Sequence, residues 1–200
     1  MPLAEKLNTF TADDYLLWEE AADVKHEYIA GEVFAHAGAR DSHVTVTMNL
    51  AMLLLSHLRG KPCRVYMAEM KVRAEEADAF FYPDVFVTCD PRDSETPLYK
   101  SYPSVIIEVL SESTSSFDYG RKFAMYRTID SLREYILVDP DTLSAECFRK
   151  DSTGHWVLYP VGKGELFEIP QISFAAPLEE LYENVNFGEY VAVSDVGRKI

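Results

Sequence analysis

Two carboxylates interrupt runs of residues that otherwise belong in a protein core. Asp84 lies in Tyr82-Pro83-Asp84-Val85-Phe86-Val87 and shares a strand face with Tyr82 and Phe86. Glu108 lies in Val105-Ile106-Ile107-Glu108-Val109-Leu110 and shares its face with Ile106 and Leu110. A carboxylate among such neighbours must take up a proton or meet a cation. A structural ion pair, or a strand end facing water, would account for one such acid. Two on consecutive strands point to a shared site, where a divalent metal would relieve their repulsion. Lys122 is the third element. In a helix from Tyr119 it shares the sheet-facing side with Met125, Tyr126 and Ile129. An unpaired buried ammonium is costly, so it either lies near an anion or snorkels out from the first helical turn.

These side chains need elements to hold them. Thr11 with Asp14 predicts a helix N-terminus, running to about Glu20. His26–Ile29 and Glu32–Ala35 read as a hairpin about Ala30-Gly31. Asp41 or Ser42 is expected to cap a helix from His43 to Arg59, with Val44, Met48, Ala51, Met52 and Leu55 as its apolar face. Strands are expected at Arg64–Val72, Phe80–Cys89 and Val105–Leu110, a helix at Tyr119–Ile129, and a strand at Glu134–Asp139. Ala145–Arg149, Trp156–Val161 and Leu166–Ile169 look like an antiparallel ribbon, followed by a short helix at Pro177–Tyr182. With no repeat or linker, the order describes one α/β or α+β domain.

Composition narrows the function classes. The 200 residues, 48% of them hydrophobic, suffice for one core without disulfides or structural metal. A formal net charge of -14 argues against a general charge-driven binder of nucleic acid or membrane, though not against a nuclease with a local basic strip. Cys63, Cys89 and Cys147 are odd in number and have no CxxC spacing, so reduced thiols in a cytoplasmic protein are expected. Met1 to Asn8 has no signal-peptide pattern, and the apolar stretch Leu50–Leu55 is too short to span a bilayer, so no membrane association is expected. His26, His36, His57 and His155 lack zinc-ligand spacing.

Pro83-Asp84 followed by Glu108 resembles the PD-(D/E)XK nuclease signature, except that Leu110 stands where the lysine belongs. More closely, the chain resembles the bacterial Uma-two family of restriction-endonuclease-like proteins. The resemblance rests on Glu27 through Gly31-Glu32-Val33, His43, Tyr82-Pro83-Asp84-Val85 and Glu108-Val109-Leu110-Ser111 with Thr114. It continues through Asp118, Gly120, Lys122 and Tyr126 to Leu132-Arg133-Glu134-Tyr135 and Leu137-Val138-Asp139-Pro140, covering about residues 10–185. The resemblance implies a restriction-endonuclease-like core, a mixed central sheet flanked by helices, with a C-terminal antiparallel strand extension. The expected division is a single domain over 1–200: an N-terminal helix and hairpin over 11–36, a core over about 42–140, a strand-rich appendix over 145–185 and a loose tail over 187–200.

What the resemblance implies functionally is a metal-dependent endonuclease, with DNA as substrate. Asp84, Glu108 and the Val109 carbonyl would bind Mg2+ or Mn2+, and Lys122, a lysine migrated to the following helix, would orient the attacking water. The rival expectation is a nuclease fold that no longer cuts and serves as a binding or regulatory module. Glu27 reads either as an additional acid facing the metal or as a turn-stabilising glutamate. His43 reads as a capping or core histidine, or as a helper beside the catalytic set. Ser111 and Thr114 precede a helix, where they would hold a phosphate or simply cap. Glu69-Met70-Lys71 spells ExK but precedes Asp84, and is read as a decoy. Basic residues, with Arg121 and Arg127 as candidates beside Lys122, are expected to rim the cleft. A homodimer is expected, with the appendix helping to build its interface. Because alanine keeps helix propensity, Lys122→Ala is expected to leave the fold intact.

Overall fold

The computed structural model describes residues 5–6, 10–36 and 38–187. The strand β1 (Glu5–Lys6) precedes helix α1 (Ala12–Glu19). The Thr11 hydroxyl accepts the Asp14 N–H while the Asp14 carboxylate accepts the Thr11 N–H, the reciprocal box expected at this start. Strands β2 (His26–Ile29) and β3 (Glu32–Ala35) form the expected hairpin, whose turn needs positive φ at both Ala30 (47°) and Gly31 (88°).

Helix α2 (Asp41–Leu58) begins two residues before the expected start, with Arg40 in the capping position and no side-chain cap, so neither Asp41 nor Ser42 serves as one. Its buried face is Val46, Thr47, Leu50, Ala51, Leu54 and Leu58, whereas Val44, Met48, Met52 and Leu55 face outward. Of the expected apolar face, only Ala51 is buried. The helix is apolar nearly all round, so its periodicity could not indicate which side meets the sheet.

Two expected strands are each broken in the middle. The first becomes β4 (Arg64–Met67) and β5 (Lys71–Ala74), parted by a turn in which the Met70 N–H donates to the Met67 carbonyl. The second becomes β6 (Ala79–Phe81) and β7 (Val85–Thr88), parted by Tyr82-Pro83-Asp84, since proline supplies no ladder donor. With β8 (Tyr99–Lys100), β9 (Pro103–Val109), β10 (Glu134–Asp139), β11 (Ser144–Lys150) and β12 (Trp156–Gly162), the strands make two sheets, ordered β1-β3-β2-β6-β5-β8 and β12-β11-β10-β9-β7-β4. Both breaks carry the chain from one sheet to the other.

In the second sheet β9 and β10 run parallel and the other neighbours antiparallel. Val105, Ile107 and Val109 face α2, while Ile106 and Leu110 face a helical run made of α3 (Ser115–Phe117), a π-helical turn Asp118–Lys122, and α4 (Phe123–Tyr126). The sheet is therefore sandwiched by helices. The run starts four residues before the expected Tyr119 and ends at Tyr126, so Lys122 lies in its middle instead of its first turn. A hairpin of β13 (Leu166–Ile169) and β14 (Phe174–Pro177) and a 3-10 turn at Leu178–Tyr182 close the core beneath α2. The loose tail expected over 187–200 falls, after Phe187, outside the described residues.

Cys63 and Cys89 form a disulfide, contrary to the expectation of three reduced thiols; Cys147 is free and buried. The reason is register. Arg64 pairs with Thr88 at the end of the β4–β7 ladder, so the next residues out, Cys63 and Cys89, face each other. No helix among the described residues is long and apolar enough to cross a membrane.

Candidate active site

The ladder between β7 and β9 pairs Val85 with Ile107, so Asp84 and Glu108 stand opposite each other one step beyond it. Both carry the parity of Phe86 and Ile106 and project on the side of the sheet that faces the helical run. Asp84 N–H donates to Glu108 Oε2 (3.4 Å), and Val109 N–H donates to Asp84 Oδ2 (2.8 Å). Each acid is thus fixed by the backbone that carries the other.

Lys122 reaches the same point from the π-helical turn. Its Nζ lies 2.9 Å from Glu108 Oε1, 3.1 Å from Glu27 Oε1 and 3.6 Å from Asp118 Oδ1. Glu27 arrives from β2 and also accepts from Tyr82 N–H at 3.4 Å. The Tyr126 hydroxyl donates to Glu108 Oε1 at 3.1 Å. Burial opposes the charged ammonium, but Glu108, Glu27 and Asp118 outweigh it and hold the lysine well above its ordinary pKa. Burial first, and then Asp118 and Asp84, push Glu108 well above the usual carboxylate range against the pull of Lys122. Burial likewise raises Asp118.

His43, in the first turn of α2, points its Nε2 at Asp84 Oδ2 from 3.3 Å. Its burial opposes protonation, but the hydrogen bond and charge of Asp84 and the Val109 backbone raise its pKa overall. These groups line a cleft of about 130 Å³, together with Phe34 and Phe117 and the hydroxyls of Ser111 and Thr114. Those hydroxyls bond each other at 2.9 Å, and Thr114 makes no side-chain cap.

Every candidate from the sequence lies at this cleft: Asp84, Glu108, Val109, Lys122, Glu27, His43, Ser111 and Thr114. Asp118 was missed as a site residue, although its four-residue spacing from Lys122 on one helical run was a usable signal. Tyr126, whose hydroxyl bonds Glu108, carries the resemblance and lies on the sheet-facing side of its helix, but the sequence does not mark it as a site residue. The expected basic rim is not found among the described residues that line the cleft, and Arg121 is exposed outside it. Among the described residues lining the cleft, Lys122 is the sole lysine or arginine, and Arg127 instead stacks on Phe123 at 5.0 Å. Arg40, in the adjoining groove, is paired with Glu112 at 2.7 Å. Glu69 is exposed and paired with Lys25, away from the cleft, in keeping with its reading as a decoy.

The donor set suits a divalent cation. Four carboxylates, Glu27, Asp84, Glu108 and Asp118, line the cleft against one lysine, and hard oxygen ligands are what Mg2+ prefers. Among the described residues, no three His, Cys, Asp or Glu side chains are grouped so as to hold an ion by themselves.

The solved structure of "a putative nuclease belonging to DUF820" from Anabaena variabilis is similar in fold. It aligns over 88% of this chain and 98% of that one with a TM-score of 0.72, at 17% sequence identity. Two Synechocystis proteins are similar along the sequence. The "Uncharacterized protein slr1290" is 31% identical over 175 residues, 88% of this chain and 92% of that one. The "Uncharacterized protein sll1609" is 37% identical over 150 residues, 74% of this chain and 85% of that one. Residues 12–178, which include every side chain of the cleft, match the family model Uma2, described as "Putative restriction endonuclease", and the chain belongs to that family.

Proposed function

We propose that this protein is a metal-dependent endonuclease that hydrolyses phosphodiester bonds in DNA, with Asp84, Glu108 and the Val109 carbonyl holding Mg2+ or Mn2+. The observation that carries this reading is the surplus of carboxylates over cations at one cleft, with Lys122 on Glu108 at 2.9 Å and His43 on Asp84 at 3.3 Å. When bound, the metal supplies polarisation of the scissile phosphate and stabilises the charge that develops on it.

The chain's own residues do the rest. Lys122, kept charged by its carboxylates, orients the attacking water beside the scissile phosphate. Glu27 and Asp118 hold the Lys122 ammonium from two further sides, and Tyr126 fixes the rotamer of Glu108. His43 holds the orientation of Asp84. Phe34 and Phe117 form apolar walls that exclude bulk water and strengthen the electrostatic contacts inside.

One observation favours a second reading, a nuclease fold used for binding or regulation. A net charge of -14, with Lys122 the sole lysine or arginine among the described residues lining the cleft, leaves few groups to neutralise phosphates. Supercoiled plasmid and labelled oligonucleotides incubated with purified protein and Mg2+ or Mn2+ separate the two. Metal-dependent nicking that Lys122→Met, Asp84→Asn and Glu108→Gln each abolish supports the enzyme. Intact nucleic acid at every metal concentration supports the binding module.

A further inference from the structure

The outward face of α2 is an apolar surface that the site does not use. Val44, Met48, Met52 and Leu55 are 50%, 49%, 65% and 54% exposed, and they fall at the spacing that builds one stripe along a helix. From Ser42 to Leu58 the helix carries no lysine, arginine, aspartate or glutamate. The stripe runs about 16 Å from Val44 to Leu55 at 1.5 Å per residue. A contiguous apolar stripe without charges is the kind of surface that marks an interaction site.

We propose that it is covered by the same helix of a second copy, packed antiparallel about a two-fold axis that crosses the outward face at the level of residue 50. Three observations select this occupant. The stripe is close to palindromic: Met48 and Met52 each lie two positions from residue 50, and Val44 and Leu55 lie six and five positions from it. Across a two-fold axis residue i of one copy meets residue j of the other while j meets i, so this spacing packs Met48 of each copy on Met52 of the other. The ends are complementary in charge as well. Asp41 and Arg59 are both exposed, lie nine positions either side of residue 50, and fall on the stripe's side of the helix by 100° geometry. Antiparallel pairing therefore sets each Asp41 against the partner copy's arginine at both ends. Lastly, two chains of net charge -14 repel each other, and an uncharged face is where that repulsion is least. The same acidity opposes an anionic membrane, which recruits helices with cationic flanks.

Another exposed apolar surface lies on the strand-rich appendix. There Val157, Leu158 and Tyr159 are exposed on the edge strand β12, but Pro160 interrupts its donors and blunts edge-to-edge pairing. The contact on α2 also has a consequence for the clefts. His43 lies seven positions from the axis, so pairing spaces the two His43 residues about 20 Å apart along the helices. The dimer does not depend on the nuclease reading, and either one can fail without the other.

The test uses the full chain and reads mass by sedimentation velocity and light scattering over a wide concentration range. Wild type should run at twice the 22.7 kDa chain mass. Met52→Glu and Met48→Lys, each placing a charge in the centre of the stripe, should weaken the dimer on the order of a hundredfold and run as folded monomers. Mixing the two should restore a dimer with one chain of each kind, because the register sets the new glutamate against the new lysine. Circular dichroism melts verify folding. As a check that leaves the stripe untouched, an equimolar mixture of Asp41→Cys and Arg59→Cys should form an interchain disulfide that neither variant forms alone. A monomeric wild type, a dimer that survives both charged variants, or a mixture that forms no interchain disulfide overturns the proposal.

Discussion

Removing the Lys122 ammonium should destabilise the fold strongly, even though the lysine reads as a catalytic group. It lies against Glu108 (2.9 Å), Glu27 (3.1 Å) and Asp118 (3.6 Å), and both its own side chain and that of Glu108 are buried. Deleting one partner of such a set leaves uncompensated buried charge, at a cost of about 3–5 kcal/mol. Methionine has nearly the same length, so Lys122→Met adds little cavity cost and isolates the electrostatic loss. The carboxylates can offset part of that loss by taking up a proton, and Tyr126 still donates to Glu108, which keeps the figure within that range. For a chain of this size each kcal/mol moves Tm by about 2–4 °C, so the drop should be about 6–20 °C at neutral pH. This revises the sequence-based expectation that Lys122→Ala leaves the fold intact: helix propensity is preserved, but the buried charges are not balanced. The assay is a set of paired thermal and urea melts of wild type, Lys122→Met, Glu108→Gln and the double variant. The double variant should recover part of the loss, with a coupling of about 0.5–3 kcal/mol. A Lys122→Met protein that melts within the roughly 0.5 kcal/mol of an ordinary surface change would refute the buried charge cluster.

Asp84→Asn should abolish any metal-dependent cleavage and also the rise in Tm on adding Mg2+, while the Val109 N–H keeps an acceptor; an undiminished Mg2+ shift would remove Asp84 from the metal set. Glu134 is buried and its pKa is raised, by desolvation acting against the Gln171 N–H and Arg149. A carboxylate raised on folding contributes stability that is full below its unfolded pKa of about 4.3 and is lost as pH rises through the folded value. Urea midpoints of Glu134→Gln should therefore fall less than those of wild type over that rise, and parallel curves would contradict the assignment. Thiol titration of denatured, unreduced protein should find one reactive cysteine, Cys147, against three after reduction. Closing the 26-residue separation between Cys63 and Cys89 constrains the unfolded chain by about 3–4 kcal/mol, so reduction should lower the urea midpoint accordingly.

The sequence by itself determined the acids and the face they share. Asp84 and Glu108 stood out because a charge in a run of Val, Ile and Phe has to be explained by a partner, and alternation along Ile106-Glu108-Leu110 put Glu108 on the face of Ile106 and Leu110, which the structure turns away from α2. The helix-to-sheet order, the hairpin at Ala30-Gly31 and the inward Lys122 were legible for similar local reasons. Other features depended on which segments meet. An apolar run has no mark for a change of sheet, so the breaks at Ala68–Met70 and Tyr82–Asp84 read as continuous strand. A helix with apolar residues on every side cannot announce its buried face, and α2 turned Val46, Leu50 and Leu54 inward because those side chains fit against β7 and β9. The disulfide needed the β4–β7 register, and the roles of Asp118 and Tyr126 needed the height of one helical turn above Glu108. Local pattern fixes what a residue can tolerate around it; only the packed chain decides which neighbour satisfies that demand.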